Sequence, residues 1–340
     1  MAGGLVVEER YTHDLVKRVV KLTCSRFATS TIVGLIITAT SSLGAELTIP
    51  VFPFPGLGAF LPPVIDAKGF GEANDLDITW KTEPERVYRT NFAAGTNKIG
   101  GSATLLADVA KLNELGVETV FLFNIFDFWG TVVVSADSGI SRLQDLQGTK
   151  LAASLPTTNY ALFRYAAKMD GLDLSKVAIQ ASPVLGLIPI ILAGRVDGVQ
   201  VWEPAHSQLV HGNDNFRALD VVGVIARHTG QSKIPYVGIA AHKSWVEENE
   251  DLIPKLFATY AAAATFINDN PEEAAEIISE AAGGRLTRDV LAGLIRSGRM
   301  GMDVYWVSDA LAAAKATFEA AMSIEYLNQM PPDSIVYGGE

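Results

Sequence analysis

Cysteine is almost missing from this 340-residue chain: the single one, Cys24, falls within the first 45 residues. No intrachain disulfide can form, and neither a Cys-ligated metal site nor a redox pair is available. Histidine is sparse. Beyond the first 45 residues it occurs at His206, His211, His228 and His242, never in H-E-x-x-H or another metal-ligand spacing. The sequence has no G-x-S-x-G nucleophile elbow and no Walker phosphate loop. It also has no run of four or more Lys/Arg, and its formal net charge is −11. Such a chain repels nucleic acid and anionic membrane surfaces, so neither is expected as a partner.

The chain is 49% hydrophobic and 19% charged, enough apolar material for one or two packed cores. Its first 45 residues form a separate pattern. Lys17, Arg18, Lys21 and Arg26 precede an uncharged run from Ala28 to Thr40, and the small residues Ser41, Ser42, Gly44 and Ala45 follow. A basic flank, a short apolar segment and a small-residue exit describe a secretory signal peptide over residues 1–45, with cleavage after Gly44 or Ala45. The apolar run is shorter than the roughly 20 residues of a membrane-spanning helix.

The rest alternates strand and helix patterns. Leu47–Phe52 is a strand candidate, Ala59–Lys68 a helix, and Leu76–Trp80 an alternating strand. Lys98–Gly101 (strand), Ser102–Leu115 (helix) and Thr119–Asn124 (strand) follow. Gly130–Ala136 is a β-branched strand opening a second series. That series has strands at Lys150–Ser154, Val177–Ala181 and Gly198–Val201, and helices at Asn159–Met169 and Leu185–Leu192. Tyr236–Ala241 is a further strand. From Trp245 the pattern is almost purely helical, and Pro331–Glu340 reads as an extended tail. The expectation is an α/β chain of two lobes joined by two crossover strands, with a ligand cleft between them. Lobe I would hold residues 46–131 and 238–340, and lobe II residues 132–237.

In open sheets ligands bind beyond the carboxyl ends of strands. Four strand-end loops are therefore candidates. Phe52–Gly58 begins a G-x-G-x-x-G pattern, with Asp77 nineteen residues past Gly58, but Leu61 takes the third glycine position. A dinucleotide site is not provided for, no cofactor is expected, and Phe54 remains as an apolar contact. Gly100–Thr104 places Ser102 as an N-cap at a helix start able to hold an anion. Ser154–Tyr160 offers Thr157, Thr158 and Asn159 at a second helix start facing the first. Two such ends contribute roughly 0.3–1 kcal/mol each when exposed. Val199–Pro204 ends in Trp202, a flat apolar wall, and Glu203, an acceptor for a ligand N–H. Asp127, Phe128 and Trp129 precede the first crossing, where a cleft floor would lie.

Three segments carry a resemblance: Val64–Phe70 before Asp75–Ile78, Val134–Ile140 with Leu143–Lys150, and Leu192–Gly198 leading into Trp202-Glu203-Pro204. Over most of residues 46–330 the chain resembles ABC-transporter solute-binding proteins of the nitrate/sulfonate/taurine type and their relatives that bind thiamine pyrimidine precursors. The resemblance implies a type II periplasmic-binding-protein fold that closes on a small molecule by hinge motion. It also implies periplasmic location, a monomer, and a membrane ABC permease with its ATPase as partners. Two departures stand out: Lys98 replaces the family's acid, and no Arg lies in the candidate loops. The lack of Arg leaves helix ends and hydroxyls for an anion, and favours a neutral or cationic aromatic ligand held by Trp202, Phe54 and Phe128. The alternative is an enzyme on the same fold acting on a small aromatic or sulfur compound. Family-like enzymes of that kind use cysteines, which this chain lacks after its first 45 residues.

Overall fold

The computed structural model describes residues 44–155 and 157–339, apart from the side chains of Ser102 and Ala103. The expected signal peptide therefore lies, except for its last two residues, outside the described residues. The chain runs β1 (Ala45–Val51), α1 (Leu61–Lys68), β2 (Leu76–Thr82), α2 (Glu85–Ala93), β3 (Ile99–Leu105), α3 (Leu106–Glu114) and β4 (Thr119–Asp127). It continues through β5 (Gly130–Ser135), β6 (Lys150–Ala153), α4 (Thr158–Met169), β7 (Ala178–Ala181), α5 (Leu187–Leu192), β8 (Gly198–Trp202), α6 (Ala205–Val210), β9 (Phe216–Leu219) and α7 (Val221–Thr229). Then come β10 (Pro235–His242), α8 (Lys243–Glu248), α9 (Ile253–Asp269), α10 (Pro271–Ala281), α11 (Arg288–Arg296), β11 (Met302–Tyr305) and α12 (Leu311–Ser323).

The strands sort into two groups. One holds the parallel pair β1-β2 and the four-stranded sheet β11-β4-β10-β3; the other is the five-stranded sheet β7-β6-β8-β5-β9. Gly101 of β3 sits so close to β1 that a Cβ there would lie 2.4 Å from the carbonyl oxygen of Pro50. Only glycine permits that approach. The first group is covered by α1, α9, α10 and α11, whose Leu61, Ile65, Leu256, Tyr260, Ile278 and Leu291 share a core with Ile49 and Phe123. On its other side α3 and α12 meet through Leu106, Val109 and Phe318. In the second group α4 and α7 cover the face bearing Val132, Val134 and Leu151, while α5 covers the face bearing Val133 and Val199. Alternation along the pleated strands assigns these faces.

Three departures from the sequence expectation bear on the architecture. The helix expected from Ser102 begins at Leu106, because the small residues Gly100–Thr104 continue β3 and pair with Gly238 and Ala240 of β10. Tertiary pairing overrides the local capping signal. A strand, β11, interrupts the helical C-terminal region and adds to β4 at the sheet edge. The expected tail folds back: Ile335 and Val336 are buried, and Val336 bridges to Phe121.

Candidate functional site

The chain passes between the two strand groups between β4 and β5 and again between β9 and β10. Antiparallel pairing of β10 with β4 sets the crossings side by side, with Pro235 opposite Asp127. Phe128 N donates to Ile234 O at 2.8 Å, and Asp127 N to Gly301 O at 2.7 Å. Fully buried Asn124 joins three strands here. Its Nδ2 donates to Asp127 Oδ1 (3.0 Å) and Asp303 O (3.2 Å), and its Oδ1 accepts from Tyr236 N (3.0 Å). Tyr305 Oη donates to Asp127 Oδ1 at 2.6 Å, and Lys233 Nζ lies 3.6 Å over the Tyr305 ring while pairing with Asp303.

Burial pushes the Asp127 carboxyl up to about 6, with neighbouring Asp303 adding to the rise and Tyr305 and Lys233 opposing it. The folded protein therefore keeps this proton up to about pH 6, whereas an unfolded Asp loses it near pH ~3.9. Stability from this group is full below pH ~4 and declines as pH rises toward 6. Asp127→Asn keeps an acceptor for Tyr305 and is expected to flatten that decline, seen as the wild-type-minus-variant difference in urea unfolding between pH 4.5 and 7.5. A difference independent of pH would show that Asp127 titrates normally.

Parallel pairing of β6 with β7 and β8, and antiparallel pairing of β5 with β8 that sets Trp202 opposite Gly130, put the carboxyl ends of β6, β7 and β8 at the crossings. In the first group Leu105, the last residue of β3, pairs with Val237 near the start of β10, so β3 also ends there. Strand-end loops from both groups thus converge on the crossings.

The individual candidates separate. Phe54 is half-buried and stacks on Phe60 with centroids 5.9 Å apart. Thr157 is the N-cap of α4: its Oγ1 accepts from Tyr160 N at 3.1 Å and donates to Ser154 O at 2.7 Å. Thr158 is partly exposed, and Asn159 is only 8% exposed, on the sheet-facing side of the helix. Trp202 is partly exposed at the end of β8.

Three expectations are corrected. Ser102 is inside β3 rather than at a helix start, and the N-cap of α3, Leu105, offers no side-chain cap. The pair of facing helix ends is therefore reduced to α4 alone. Phe128 is 2% exposed and packs edge-on against Tyr236, with centroids 5.5 Å apart, in the core under α4 and α7. Its backbone is at the crossing, but its ring has no surface for a guest. Glu203 is 1% exposed and already engaged. Its carboxylate accepts from His206 Nδ1 (3.1 Å), Ser207 N (2.9 Å), Ser207 Oγ (3.0 Å) and Arg299 Nε (2.9 Å). Burial pushes its carboxyl up, but the hydrogen bonds from His206, Arg299 and Ser207 outweigh that and hold it below the usual range. Arg299 comes from the turn between α11 and β11, so this cluster ties the first strand group to α6 of the second. Arg299 also lies 5.9 Å over the Trp129 ring, which meets His206 edge-on at 4.9 Å.

Sequence reasoning missed Arg89. It projects from α2, an element the sequence pattern left unassigned, and pairs with Glu85 and Asp108. It borders a recess of about 170 Å³ lined also by Tyr88, Phe92, Thr104 and Tyr326. The only local signal was the i, i+4 spacing of Glu85 and Arg89. Gln200, in the middle of β8, was also passed over as one polar residue in an apolar strand. Among the described residues no group of three or more His, Cys, Asp or Glu side chains could hold a metal ion.

Among solved structures the chain is similar to the periplasmic aliphatic sulphonate binding protein SsuA from Escherichia coli, at 18% identity and TM-score 0.68, over 83% of this chain and 92% of that one. It is similar to the alkanesulfonate-binding protein SsuA from Xanthomonas axonopodis pv. citri bound to MOPS, at 16% identity and TM-score 0.66, over 86% and 98%. A third likeness is to the periplasmic nitrate-binding protein NrtA from Synechocystis PCC 6803, at 14% identity and TM-score 0.62, over 84% and 82%. No curated protein matches the sequence. These likenesses show the fold: a two-lobed α/β periplasmic-binding-protein architecture. The family described as NMT1/THI5 like matches residues 64–274, more than half of the sequence, and the chain belongs to that family.

Proposed function

We propose that this protein is the solute-binding component of an ABC importer, exported to the periplasm, where it captures a small organic molecule or oxyanion. In this reading residues 46–131 with 238–340 form one lobe and 132–237 the other. The guest sits where the strand-end loops of the two lobes meet, and closing on it shifts an open–closed equilibrium by its differential affinity for the closed state. The observation that carries the reading is that convergence of strand ends on two adjacent crossings, in a member of the NMT1/THI5-like family. The sulfonate- and nitrate-binding names of the structural neighbours support a small polar or anionic guest. The loaded monomer would then deliver it to a membrane permease and its ATPase.

The proposed contacts are Phe54, Asp127, Thr157, Thr158, Asn159 and Trp202. Phe54 and Trp202 supply apolar walls, and the first turn of α4 supplies open backbone N–H groups and hydroxyls. Burial raises the carboxyl of Asp127 at the crossings to about 6, so guest affinity would vary with pH near 6.

A thermal-shift screen over sulfonates, nitrate, pyrimidines and aromatic acids tests the reading. A guest at 100 times its Kd adds about 2.7 kcal/mol and raises the melting temperature without being consumed. Chemical conversion of a hit would move the protein to the enzyme class. Trp202→Ala is expected to weaken binding of such a hit at least tenfold while leaving the ligand-free melting temperature within a few degrees. Unchanged affinity would remove Trp202 from the site.

A further inference from the structure

The recess beside Arg89, about 170 Å³ in volume, lies between α2, α3 and the segment after α12, all packed on the first strand group. A protein cavity of about 150 Å³ holds one benzene molecule, so this recess has room for a single small ring. Its floor is apolar. Tyr88 and Phe92, one turn apart on α2, have nearly parallel rings with centroids 6.3 Å apart, and Leu112 of α3 lines the space with them. Its wall is fixed, because two carboxylates of α3 clip the segment after α12. Asp108 Oδ1 accepts from Tyr326 Oη at 2.5 Å, and Glu114 Oε1 accepts from Asn328 N at 2.7 Å and Gln329 N at 3.1 Å.

The polar groups around this floor are unequally used. Asp108 Oδ2 takes Arg89 Nη1, so both oxygens of Asp108 are engaged, and the Tyr88 and Thr104 hydroxyls bond each other. The donors are less fully used. Lys111 gives one of its three N–H groups to Glu114 at 2.9 Å. The Nε–Nη2 edge of Arg89 meets one oxygen of Glu85, at 3.2 and 3.1 Å. Glu85 is exposed, and an exposed ion pair holds weakly. A carboxylate with two oxygens matches that edge better than Glu85 does, and could replace it without disturbing the Asp108 pair.

We propose that this recess is a binding site for a small planar carboxylate of benzoate size. The ring lies on the floor of Tyr88, Phe92 and Leu112, and the carboxylate takes the Nε–Nη2 edge of Arg89, with the Lys111 ammonium as a second cation. Flat apolar contact supplies the affinity, and the planar guanidinium fork supplies the choice of head group. The site is built within one strand group. It therefore does not depend on the solute-binding reading, which places a guest between the two.

Calorimetric titration with benzoate, benzamide and acetate tests the proposal. Wild type should bind benzoate saturably, and the other two about tenfold more weakly or worse, since benzamide lacks the charge and acetate the ring. Leu112→Trp fills the recess and should abolish the benzoate signal. Arg89→Lys keeps a cation beside Asp108 but loses the fork, and should weaken benzoate about fivefold. Glu85→Ala frees the guanidinium edge and should tighten benzoate about threefold, a gain that a purely structural Arg89 would not give. Should Leu112→Trp fail to fold, the opposite shifts in Arg89→Lys and Glu85→Ala decide. No saturable benzoate binding by wild type would overturn the proposal, as would unchanged or weaker binding in Glu85→Ala. Binding kept in Leu112→Trp but lost in Trp202→Ala would also overturn it, placing the probe at the crossings and supporting the solute-binding reading instead.

Discussion

Arg299→Met is expected to destabilise the protein by about 3 kcal/mol near neutral pH, because it strands a buried carboxylate. Glu203 has no exposed side-chain surface, and Arg299 is the one permanently charged cation among its partners. The remaining donors, His206 and Ser207, come from Glu203's own turn of chain and cannot replace a guanidinium from the other strand group. The wild-type contribution is present above the ordinary Glu value of about 4.3 and is lost as pH falls through the lower folded value. The gap between variant and wild type should therefore narrow in acid. Urea unfolding at pH 7.5 and pH 4 reads both effects. A loss of only about 0.5 kcal/mol, typical of a surface pair, would show that the cluster is not a joint. Glu203→Gln in the Arg299→Met background should recover part of the loss, since the uncompensated charge is then gone.

Phe128→Ala is expected to cost about 3–5 kcal/mol of stability through the cavity it leaves. The ring lies against the backbone of Gly130, where a Cβ would come within 2.7 Å of its Cζ, and against Tyr236 from the second crossing. Removing it loosens both crossings and the core beneath α4 together. If Phe128 instead contacted the guest, the variant would keep its melting temperature and lose affinity. Calorimetric unfolding without ligand separates the two outcomes.

The two-series organisation was legible because strand and helix patterns alternate along the chain and turn residues mark their ends. β5 shows why: Thr131 and three valines in succession can only be a well-buried strand. β3 was misread because glycine, serine, alanine and threonine in a row are equally a helix approach or a thin strand. Only the partner strands decide, and they are distant in sequence. β11 was invisible for a similar reason: four residues between helices have no period of their own. The start of α4 was legible because an N-cap such as Thr157 is a local device, written into adjacent residues. Glu203 and Phe128 were not. Their chemistry depends on Arg299 and Tyr236, 96 and 108 positions away, and a polar or aromatic residue near a strand end looks the same whether it faces a guest or a neighbour.

The crossings described above run side by side, and the Arg299–Glu203 pair lies beside the first of them, with Arg299 over Trp129. Attachments gathered on one side of the molecule permit bending and resist shear. Opening of the proposed lobes would then be widest at the side remote from Glu203.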